Sequence, residues 1–274
     1  MSKKTEAARS VANRAAFICN IDVMWQSLRK EFNLLKFNTK LYLAGIYFSL
    51  FEKTYKVEGL DLIVPFDLTD IKFRGQFPID FYEKQERRYL KQYLPKNATV
   101  LELGACLGIV SCLTNRLLDH PEQHVVVEAN PNVIPTIEAN KKRNQCHFYI
   151  ENCMVSSRPE NEFYLGKTIL MSSNRRQSAT KITMPGKTVT DLERSYGMAF
   201  DALVMDIEGG ELDFLRENRE KLPQFSVIFM EVHPHRDILS PEEVAECLDI
   251  VQTAGFEKVV DESNFWILVR RKAH

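Results

Sequence analysis

The sequence lacks any large excess of positive charge. Its 36 lysine and arginine residues are balanced by 37 aspartate and glutamate residues, which leaves a formal net charge of −1 at pH 7. A protein with this balance has no overall positive field to attract a polyanion, so we expect no nucleic-acid partner. Apolar residues make up 45% of the 274 residues, which is typical of a folded globular chain.

The sequence also lacks paired cysteines. None of its six cysteines stands in a C-x-x-C pair, so a structural zinc site is not expected. Isolated cysteines in a chain of this length are typical of buried, reduced thiols, which predicts a cytoplasmic protein. The polar N-terminus has no apolar core followed by a cleavage site, so we expect no secretory signal.

A long apolar run is missing as well. The most apolar stretch, LYLAGIYFSLF at residues 41–51, is too short to span a bilayer, and we expect a buried helix there. Because Lys36, Lys40 and Lys53 flank this stretch, a peripheral contact of residues 1–55 with a membrane surface or a protein partner stays open. The sequence does not predict an oligomeric state.

Two regions differ in their hydrophobic pattern. Residues 1–75 are predicted as a mainly helical extension that includes a short strand or hairpin, YKVEGLDLIVPFD. In residues 76–274, which form the second predicted domain, strands and helices alternate. One helix is expected to carry Pro131 in its first turn, and another to begin with Ser240 at its N-cap and Glu243 three residues later.

The alternation in the second domain predicts its sheet. Short apolar runs such as VVV and ALVM indicate parallel strands that are buried on both faces. The last two strands are joined by a short Ser-Asn turn, so they must be antiparallel. The sequence therefore predicts an α/β fold, with a doubly wound, mostly parallel, seven-stranded Rossmann-like sheet whose last strand is antiparallel.

Acidic residues end five strands of this predicted sheet. These strand ends are Glu102 and Gly104, Glu128 and Asn130, Glu151 and Asn152, Asp206 and Glu208, and Glu231 and His233. Ligands of open α/β sheets bind beyond the carboxyl ends of the strands. Because so many carboxylates meet at this edge, it suits a cationic ligand and repels an anionic pyrophosphate.

The glycine pattern argues against the common phosphate-binding loops. Gly104 and Gly108 give G-x-x-x-G, which lacks the central glycine of a dinucleotide fingerprint, and no G-x-x-x-x-G-K-[ST] loop is present. Glu128 can accept hydrogen bonds from a ribose diol, which fits either NAD or an adenosyl cofactor. The combined pattern favours an adenosine-containing cofactor that carries positive charge, and S-adenosylmethionine meets that description.

Four sequence blocks resemble one family. VLELGACLGIVS, VVVEANP, VMDIEGGELDFL and IFMEVHP, in this order over residues 80–270, are similar to the FkbM family of S-adenosylmethionine-dependent methyltransferases, which has the class I methyltransferase fold. The resemblance implies methylation of a hydroxyl, commonly on a sugar or a natural product. One departure is the LELGA stretch, where Glu102 and Leu103 stand in place of the more usual VDVGA pattern.

The residues expected around the cofactor lie in the glycine turn and at the strand ends. Glu102 is expected to orient the cofactor's ammonium group from behind the turn, and Glu128 to hold the ribose. The predicted cofactor-binding residues are Glu102, Gly104, Ala105, Cys106, Gly108, Glu128, Ala129, Asn130, Asn152 and Asp206.

A hydroxyl acceptor is helped by a base, and the acidic edge offers several. His233 is our first candidate because its ordinary pKa suits neutral pH, and a loop-capping histidine is the alternative. Asp206, Glu208 and Glu231 are the further catalytic candidates, although Asp206 could instead cap the following helix. Together with His235 they could also form a Mg²⁺ site, but their spacing is not diagnostic and we predict no metal.

Two segments are expected to border the substrate. Residues 172–187 are predicted as a loop or hairpin, either solvated or able to capture an acidic or phosphorylated glycan through Arg175, Arg176, Lys181 and Lys187. In the second segment, FRGQFPIDFYEKQERRYL, one tyrosine and two glutamates either close over the cofactor or form an exposed helix face. These three residues are Tyr82, Glu83 and Glu86.

The sequence thus favours an S-adenosylmethionine-dependent O-methyltransferase that acts on a glycan or a small hydroxylated metabolite. One alternative is a methyltransferase-like, non-catalytic module whose N-terminal helices bind a partner or a membrane surface. Another is an NAD-type oxidoreductase, against which the incomplete glycine fingerprint and the acidic edge both count.

Overall fold

The computed structural model describes residues 3–166, 169, 180–235 and 238–271, with side-chain surroundings at residue 25 and from residue 28 onward. The chain divides into two compact units. One consists of Met1–Phe51 with Ile71–Ile79, and the other of Glu52–Asp70 with Asp80–His274. The predicted domain boundary at residue 75 therefore falls inside a segment of the first unit.

The described residues of the first unit contain two helices, α1 (Lys3–Phe51) and α2 (Ile71–Arg74). Gly45 allows the two helices to touch, because a Cβ there would lie 1.8 Å from a backbone oxygen of α2. Phe48 packs against Phe77 with ring centroids 5.3 Å apart. These contacts fix the C-terminal end of α1 within its unit.

Much of α1 carries exposed apolar side chains. The predicted buried helix at residues 41–51 is only partly right, since Leu41 and Phe48 are buried whereas Leu43 and Phe51 are exposed. Earlier in the same helix, Leu28, Phe32 and Leu35 are also exposed. Within the described part of the chain, no helix has both the length and the apolarity required to cross a bilayer.

The strands of the second unit form three sheets. In chain order they are β1 (Thr54–Val57), β2 (Leu60–Ile63), β3 (Val100–Leu103), β4 (His124–Val127), β5 (Tyr149–Glu151), β6 (Met154–Val155), β7 (Glu160–Leu165), β8 (Thr180–Lys187), β9 (Ala202–Met205), β10 (Val227–Glu231), β11 (Phe256–Glu262) and β12 (Phe265–Arg270). β1 and β2 form the predicted hairpin, and their pairing is antiparallel.

The main sheet has seven strands in the order β11-β12-β10-β9-β3-β4-β5. The pairs within β10-β9-β3-β4-β5 are parallel, whereas β12 is antiparallel to both of its neighbours. The predicted doubly wound, mostly parallel sheet with an antiparallel last strand is therefore confirmed. The last strand inserts between β10 and β11, because a short turn after β11 can only lead back alongside it.

Helices precede or connect the strands of this sheet in the sequence. They are α3 (Lys84–Tyr93), α4 (Ile109–Leu117), α5 (Ile134–Arg143), α6 (Val189–Tyr196), α7 (Glu211–Glu217) and α8 (Pro241–Thr253). The predicted capping box of α8 is present, since Ser240 and Glu243 exchange side-chain and backbone hydrogen bonds. The prediction for Pro131 is wrong: α5 begins at Ile134, and Pro135 occupies its first turn.

The segment predicted as a loop or hairpin, residues 172–187, contributes a strand to a small sheet. β8 pairs with β6 and β7 in the order β6-β8-β7. Lys181 and Lys187, for which a solvated loop and capture of an acidic substrate were the two alternatives, form ion pairs with carboxylates of β7 and β5. Arg175 and Arg176 lie outside the described residues.

Burial of the central strands determines where a ligand can reach the sheet. Every residue of β3, β4 and β9 is buried. Leu101 and Leu103 join one apolar cluster, while Val100 and Val204 join another, so successive side chains pack on opposite faces. Polar residues that follow these strands are therefore the ones that can meet a ligand, at the carboxyl ends.

Candidate active site

Three of the predicted site residues meet at the carboxyl ends of β9 and β10. β9 and β10 are adjacent and parallel, with Met205 opposite Met230, so the residues that follow them reach the same edge. Asp206, Glu231 and His233 each place one nitrogen or oxygen atom within 4.8 Å of the others. The predicted convergence of side chains at this edge is confirmed for these three.

His233 is held by a buried carboxylate that the sequence reasoning missed. Its Nδ1 lies 2.5 Å from Oε1 of Glu211, the first residue of α7, whose side chain is fully buried. On the other side of the ring, Nε2 lies 3.4 Å from Asp206 Oδ1 and 3.8 Å from Glu208 Oε1. The sequence signal that could have identified Glu211 is its position directly after the Gly209–Gly210 pair, at the start of a helix.

The pKa of His233 is shifted far from its ordinary value. Burial lowers this pKa, but the hydrogen bond with Glu211 and the negative charges of Asp206, Glu211 and Glu208 together raise it to about 10. A protonated imidazole cannot accept a proton from an alcohol. The proposed role of His233 as a base therefore requires another cation at this site to reduce the surrounding negative potential.

Carboxylates from the segment before and within α3 extend the acidic edge. Burial raises the pKa of Glu86 to about 7, although its side chain hydrogen-bonds with Glu231. Burial and the charge of Asp206 raise the pKa of Glu231 to about 8. Burial also raises the pKa of Glu83 well above its usual range, with repulsion from Glu86 and Asp206 adding to the effect.

The described protein groups neutralise only part of the negative charge at this edge, through the ion pairs of His233 with Asp206 and Glu208. Within the described residues, Glu83 Oε2 and Asp206 Oδ1 are buried oxygens without a hydrogen-bond partner. A buried carboxylate without a donor or a cation is costly. The described residues at this edge therefore fit a ligand that brings positive charge, as the sulfonium and ammonium groups of the predicted cofactor would.

The glycine turn after β3 is shaped by its contact with β9. Gly104 has a φ of +85°, and a Cβ there would lie 1.7 Å from the carbonyl oxygen of Asp206. No side chain fits at this distance, so glycine is required by the fold itself. Gly108, with a φ of +75°, is the N-cap of α4. Cys106 also has a positive φ, of 50°.

Glu128 organises the turn through its carboxylate. Its Oε2 accepts hydrogen bonds from the backbone N–H groups of Ala105 and Cys106 at 2.9 and 3.0 Å, and its Oε1 accepts one from Asn130 at 2.7 Å. Asn152 donates to the Glu128 carbonyl oxygen at 2.8 Å. Burial nevertheless raises the pKa of the Glu128 carboxyl.

Five predicted cofactor-binding residues are thus brought together around Glu128. They are Ala105, Cys106, Glu128, Asn130 and Asn152. Ala129 adjoins them in the chain and receives a longer contact, of 3.4 Å, from the Asn152 amide. A carboxylate has about four lone-pair positions, so the three backbone donors on Glu128 leave capacity for a ribose hydroxyl.

Glu102 lies inside the fold. Its side chain is fully buried, Oε1 accepts a short hydrogen bond from the Ser111 hydroxyl, and Oε2 lies 3.1 Å from Nε2 of His124. These contacts link β3 to α4 and β4, and they support a structural role. An orienting role towards the cofactor's ammonium group stays a prediction. The sequence reasoning missed His124 because it considered only the residues that end each strand, whereas His124 is the first residue of β4.

Comparison with solved structures finds methyltransferases at low identity. The ribosomal protein L11 methylase of Lactobacillus delbrueckii subsp. bulgaricus is 12% identical, with a TM-score of 0.44, over 70% of this chain and 80% of that one. An O-methyltransferase of Bacillus cereus in complex with SAH is 10% identical, with a TM-score of 0.42, over 75% and 84% of the two chains. At scores this low, the similarity carries no argument about activity.

A family model covers the part of the chain that holds this site. The search of curated proteins found no match. The model described as the methyltransferase FkbM domain matches residues 102–258. This range is more than half of the 274 residues, and it includes the glycine turn, Glu128, Asp206, Glu231 and His233. The chain therefore belongs to the FkbM methyltransferase family, and its methyl donor is S-adenosylmethionine.

Proposed function

We propose that this methyltransferase transfers the methyl group to a hydroxyl oxygen of a sugar, a glycan or a small hydroxylated metabolite. The observation that carries the proposal is the group formed by Asp206, Glu231 and His233 at the carboxyl ends of β9 and β10. Carboxylates and an imidazole are the side chains that accept a hydrogen bond, and then a proton, from an alcohol. The FkbM resemblance implies the same acceptor class.

Each part of the site has a distinct task in this proposal. When bound, S-adenosylmethionine supplies an electrophilic methyl group on a sulfonium centre. Glu128 accepts hydrogen bonds from the ribose while it holds the backbone of the glycine turn. Asp206 and Glu231 orient the acceptor hydroxyl, and His233 or one of these carboxylates takes its proton. Such a base contributes about 10²–10⁴-fold to the rate, in addition to positioning.

The charges of the described residues favour a neutral acceptor. Four carboxylates face the edge of the sheet, from Glu83, Glu86, Asp206 and Glu231. Lys181 and Lys187 form ion pairs with other carboxylates, those of Glu162 and Glu151. A phosphorylated or acidic glycan would add negative charge beside carboxyl groups whose pKa values are already raised, whereas a neutral polyol can exchange several hydrogen bonds with them.

The described cysteines support a reducing compartment. Cys106, Cys112, Cys146, Cys153 and Cys247 are all free thiols. Cytoplasmic proteins keep their cysteines in this form. We therefore propose that the protein acts in the cytoplasm, where S-adenosylmethionine is the methyl donor for many acceptors.

A second candidate function, a non-catalytic module, rests on α1. Trp25, Leu28, Phe32, Leu34 and Leu35 expose large apolar surfaces along this helix. Exposed apolar residues in such number are typical of a surface that binds a protein partner or a membrane. This alternative predicts cofactor binding without turnover, and it predicts that removal of residues 1–55 abolishes association but not cofactor binding.

The test is a radiolabelled methyl-transfer assay on the full chain. Protein is incubated with methyl-labelled S-adenosylmethionine and a panel of neutral sugars and polyols, and both the labelled product and S-adenosylhomocysteine are quantified. We expect transfer to at least one hydroxyl, and a loss of about 10²-fold or more in the Glu231→Gln variant. The matched control is Glu220→Gln, an exposed carboxylate of the same unit, which leaves the rate unchanged.

Calorimetry on the same preparations separates the alternatives. S-adenosylmethionine binding without transfer to any acceptor would support the non-catalytic module. No S-adenosylmethionine binding together with saturable NAD binding would contradict the methyltransferase activity altogether. Label on a nitrogen or a carbon, but on no oxygen, would overturn the proposed acceptor class.

A further inference from the structure

We infer that Asp206, Glu231 and His233 are the protein ligands of one divalent transition-metal cation, bound at the carboxyl ends of β9 and β10. Their donor atoms all lie within 4.8 Å of one another. Ligand bonds of about 2.0–2.2 Å place neighbouring donors about 3.0–3.5 Å apart. The 3.4 Å separation between His233 Nε2 and Asp206 Oδ1 falls within that range, and the third donor, from Glu231, lies within 4.8 Å of both.

The second observation is the carboxylate behind the histidine. Metal-binding histidines usually donate their other ring N–H to a carboxylate, which fixes the ring and directs the free nitrogen at the ion. Here Glu211 Oε1 lies 2.5 Å from His233 Nδ1, and the Glu211 side chain is completely buried. With an ion bound, the single ring proton would therefore stay on Nδ1, and Nε2, which faces Asp206, would be the nitrogen that binds the ion.

The third observation is an oxygen without a hydrogen bond. Asp206 Oδ1 is buried, has no hydrogen-bond partner among the described residues, and lies across a 3.4 Å gap from Nε2 of His233. That gap exceeds the usual length of a charge-assisted N–H···O bond, about 2.7–2.9 Å. A metal cation in this gap would displace the proton from Nε2 and would then coordinate both the Nε2 lone pair and Asp206 Oδ1.

The donor set indicates which cation. One imidazole and two carboxylates, with no thiolate, suit Mn²⁺, Fe²⁺ or Zn²⁺ better than Ca²⁺ or Mg²⁺, which prefer oxygen donors alone. Three protein ligands also leave coordination positions open for water or for an outside oxygen. With the ion bound, the three side chains would act on the acceptor hydroxyl through the ion, which would lower the pKa of that hydroxyl instead of accepting its proton directly. This use rests on the proposed function, whereas the site itself does not.

The experiment uses the full chain, stripped with a chelator and titrated with Mn²⁺, while free Mn²⁺ is followed by electron paramagnetic resonance. We expect one ion per chain, with binding weakened at least tenfold in Glu231→Gln and in His233→Gln. Glu211→Gln, which removes the charge behind the histidine, should weaken binding by about tenfold as well. The exposed Glu220→Gln variant is the control and should bind like the wild type.

A second measurement needs no variant. Electron spin-echo modulation of Mn²⁺ bound to the wild-type protein should show coupling to the nitrogen of one directly coordinated imidazole. No saturable binding, equal binding by wild type and Glu231→Gln, or bound Mn²⁺ without nitrogen coupling would each overturn the site.

The Mn²⁺ titration contains neither S-adenosylmethionine nor an acceptor, so its result is separable from methyl transfer. Binding of S-adenosylmethionine and transfer to a hydroxyl without any Mn²⁺ binding would overturn the metal site alone. Saturable Mn²⁺ binding with the expected nitrogen coupling, but no transfer to a hydroxyl, would uphold the site and overturn the proposed acceptor alone.

Discussion

The α-carbon of Gly104 faces the carbonyl oxygen of Asp206 so closely that a β-carbon at Gly104 would lie 1.7 Å from that oxygen. This close approach brings the turn after β3 against the end of β9, where Asp206 lies 3.4 Å from His233. The sequence predicts Gly104 as one of the cofactor-binding residues of the turn. Its conformation is required first by the neighbouring strand.

The first prediction is that Gly104→Ala destabilises the protein strongly. The added methyl group must displace backbone rather than a flexible side chain, and the φ of +85° is itself unfavourable for alanine. We expect a loss of about 2–4 kcal/mol in the free energy of unfolding, measured by chemical denaturation. S-adenosylmethionine binding should fall in the same variant, because the turn moves away from Asp206.

Gly197→Ala is the matched control for this prediction. Gly197 also has a positive φ, of 65°, but a Cβ there would meet nothing within 4 Å. Only the backbone preference is lost, so the expected cost is about 1 kcal/mol. Equal losses in the two variants would show that the contact with Asp206 does not constrain the turn.

The second prediction concerns Glu128 and the cofactor. Glu128→Ala removes the acceptor for the N–H groups of Ala105 and Cys106 as well as the proposed acceptor for the ribose. We expect S-adenosylmethionine affinity, measured by calorimetry, to fall by more than about 1.5 kcal/mol. Glu138→Gln, an exposed change on α5, should leave affinity unchanged. An unaltered affinity in folded Glu128→Ala would exclude Glu128 from the cofactor site.

The third prediction separates the two roles considered for Glu102. Its carboxylate contacts Ser111 and His124 inside the fold, so Glu102→Gln should destabilise the protein by about 1–3 kcal/mol through loss of charged hydrogen bonds. Because these contacts lie away from the turn, cofactor affinity should change less than about threefold. A tenfold loss of affinity with unchanged stability would restore the role predicted from the sequence.

The sheet was predictable because its signals are local and repeated. Runs such as VVV and ALVM lie in strands whose every residue is buried, and alternation with helices leaves few other topologies. The capping box at Ser240 fixed the start of α8 in the same way. The start of α5 was misplaced because two prolines, Pro131 and Pro135, compete for the first helical turn, and only packing decides between them.

The candidate site was predictable as a set of strand ends but not as a network. Parallel strands bring their carboxyl ends together, so Asp206, Glu231 and His233 could be grouped from sequence. Glu211 was missed because its contact with His233 depends on how α7 turns back over the strand ends. The ordinary pKa of His233 suggested a base that is neutral at pH 7. The hydrogen bond and the close carboxylates that raise this pKa could be identified only from the structure.

The last prediction concerns pH and the ion pair between Asp80 and Arg87. Arg87 is buried, and its guanidinium donates to Asp80 at 2.6 Å and to Glu58 at 3.0 Å. Burial raises the pKa of Asp80, but the hydrogen bonds from Arg87 and Tyr55 outweigh it and hold that pKa below its ordinary value of 3.8.

A lowered pKa in the folded state means that the Asp80 contribution to stability is complete above about pH 5. This contribution is lost as pH falls through the ordinary value of 3.8 and on through the lower folded value, because protonation removes the partner of Arg87. Urea midpoints measured between pH 6 and 3 should therefore fall more steeply for wild type than for Asp80→Asn. Since half of the Asp80 side chain is exposed, the difference in slope should be modest. Parallel curves for the two proteins would show that Asp80 does not stabilise the folded state through its charge.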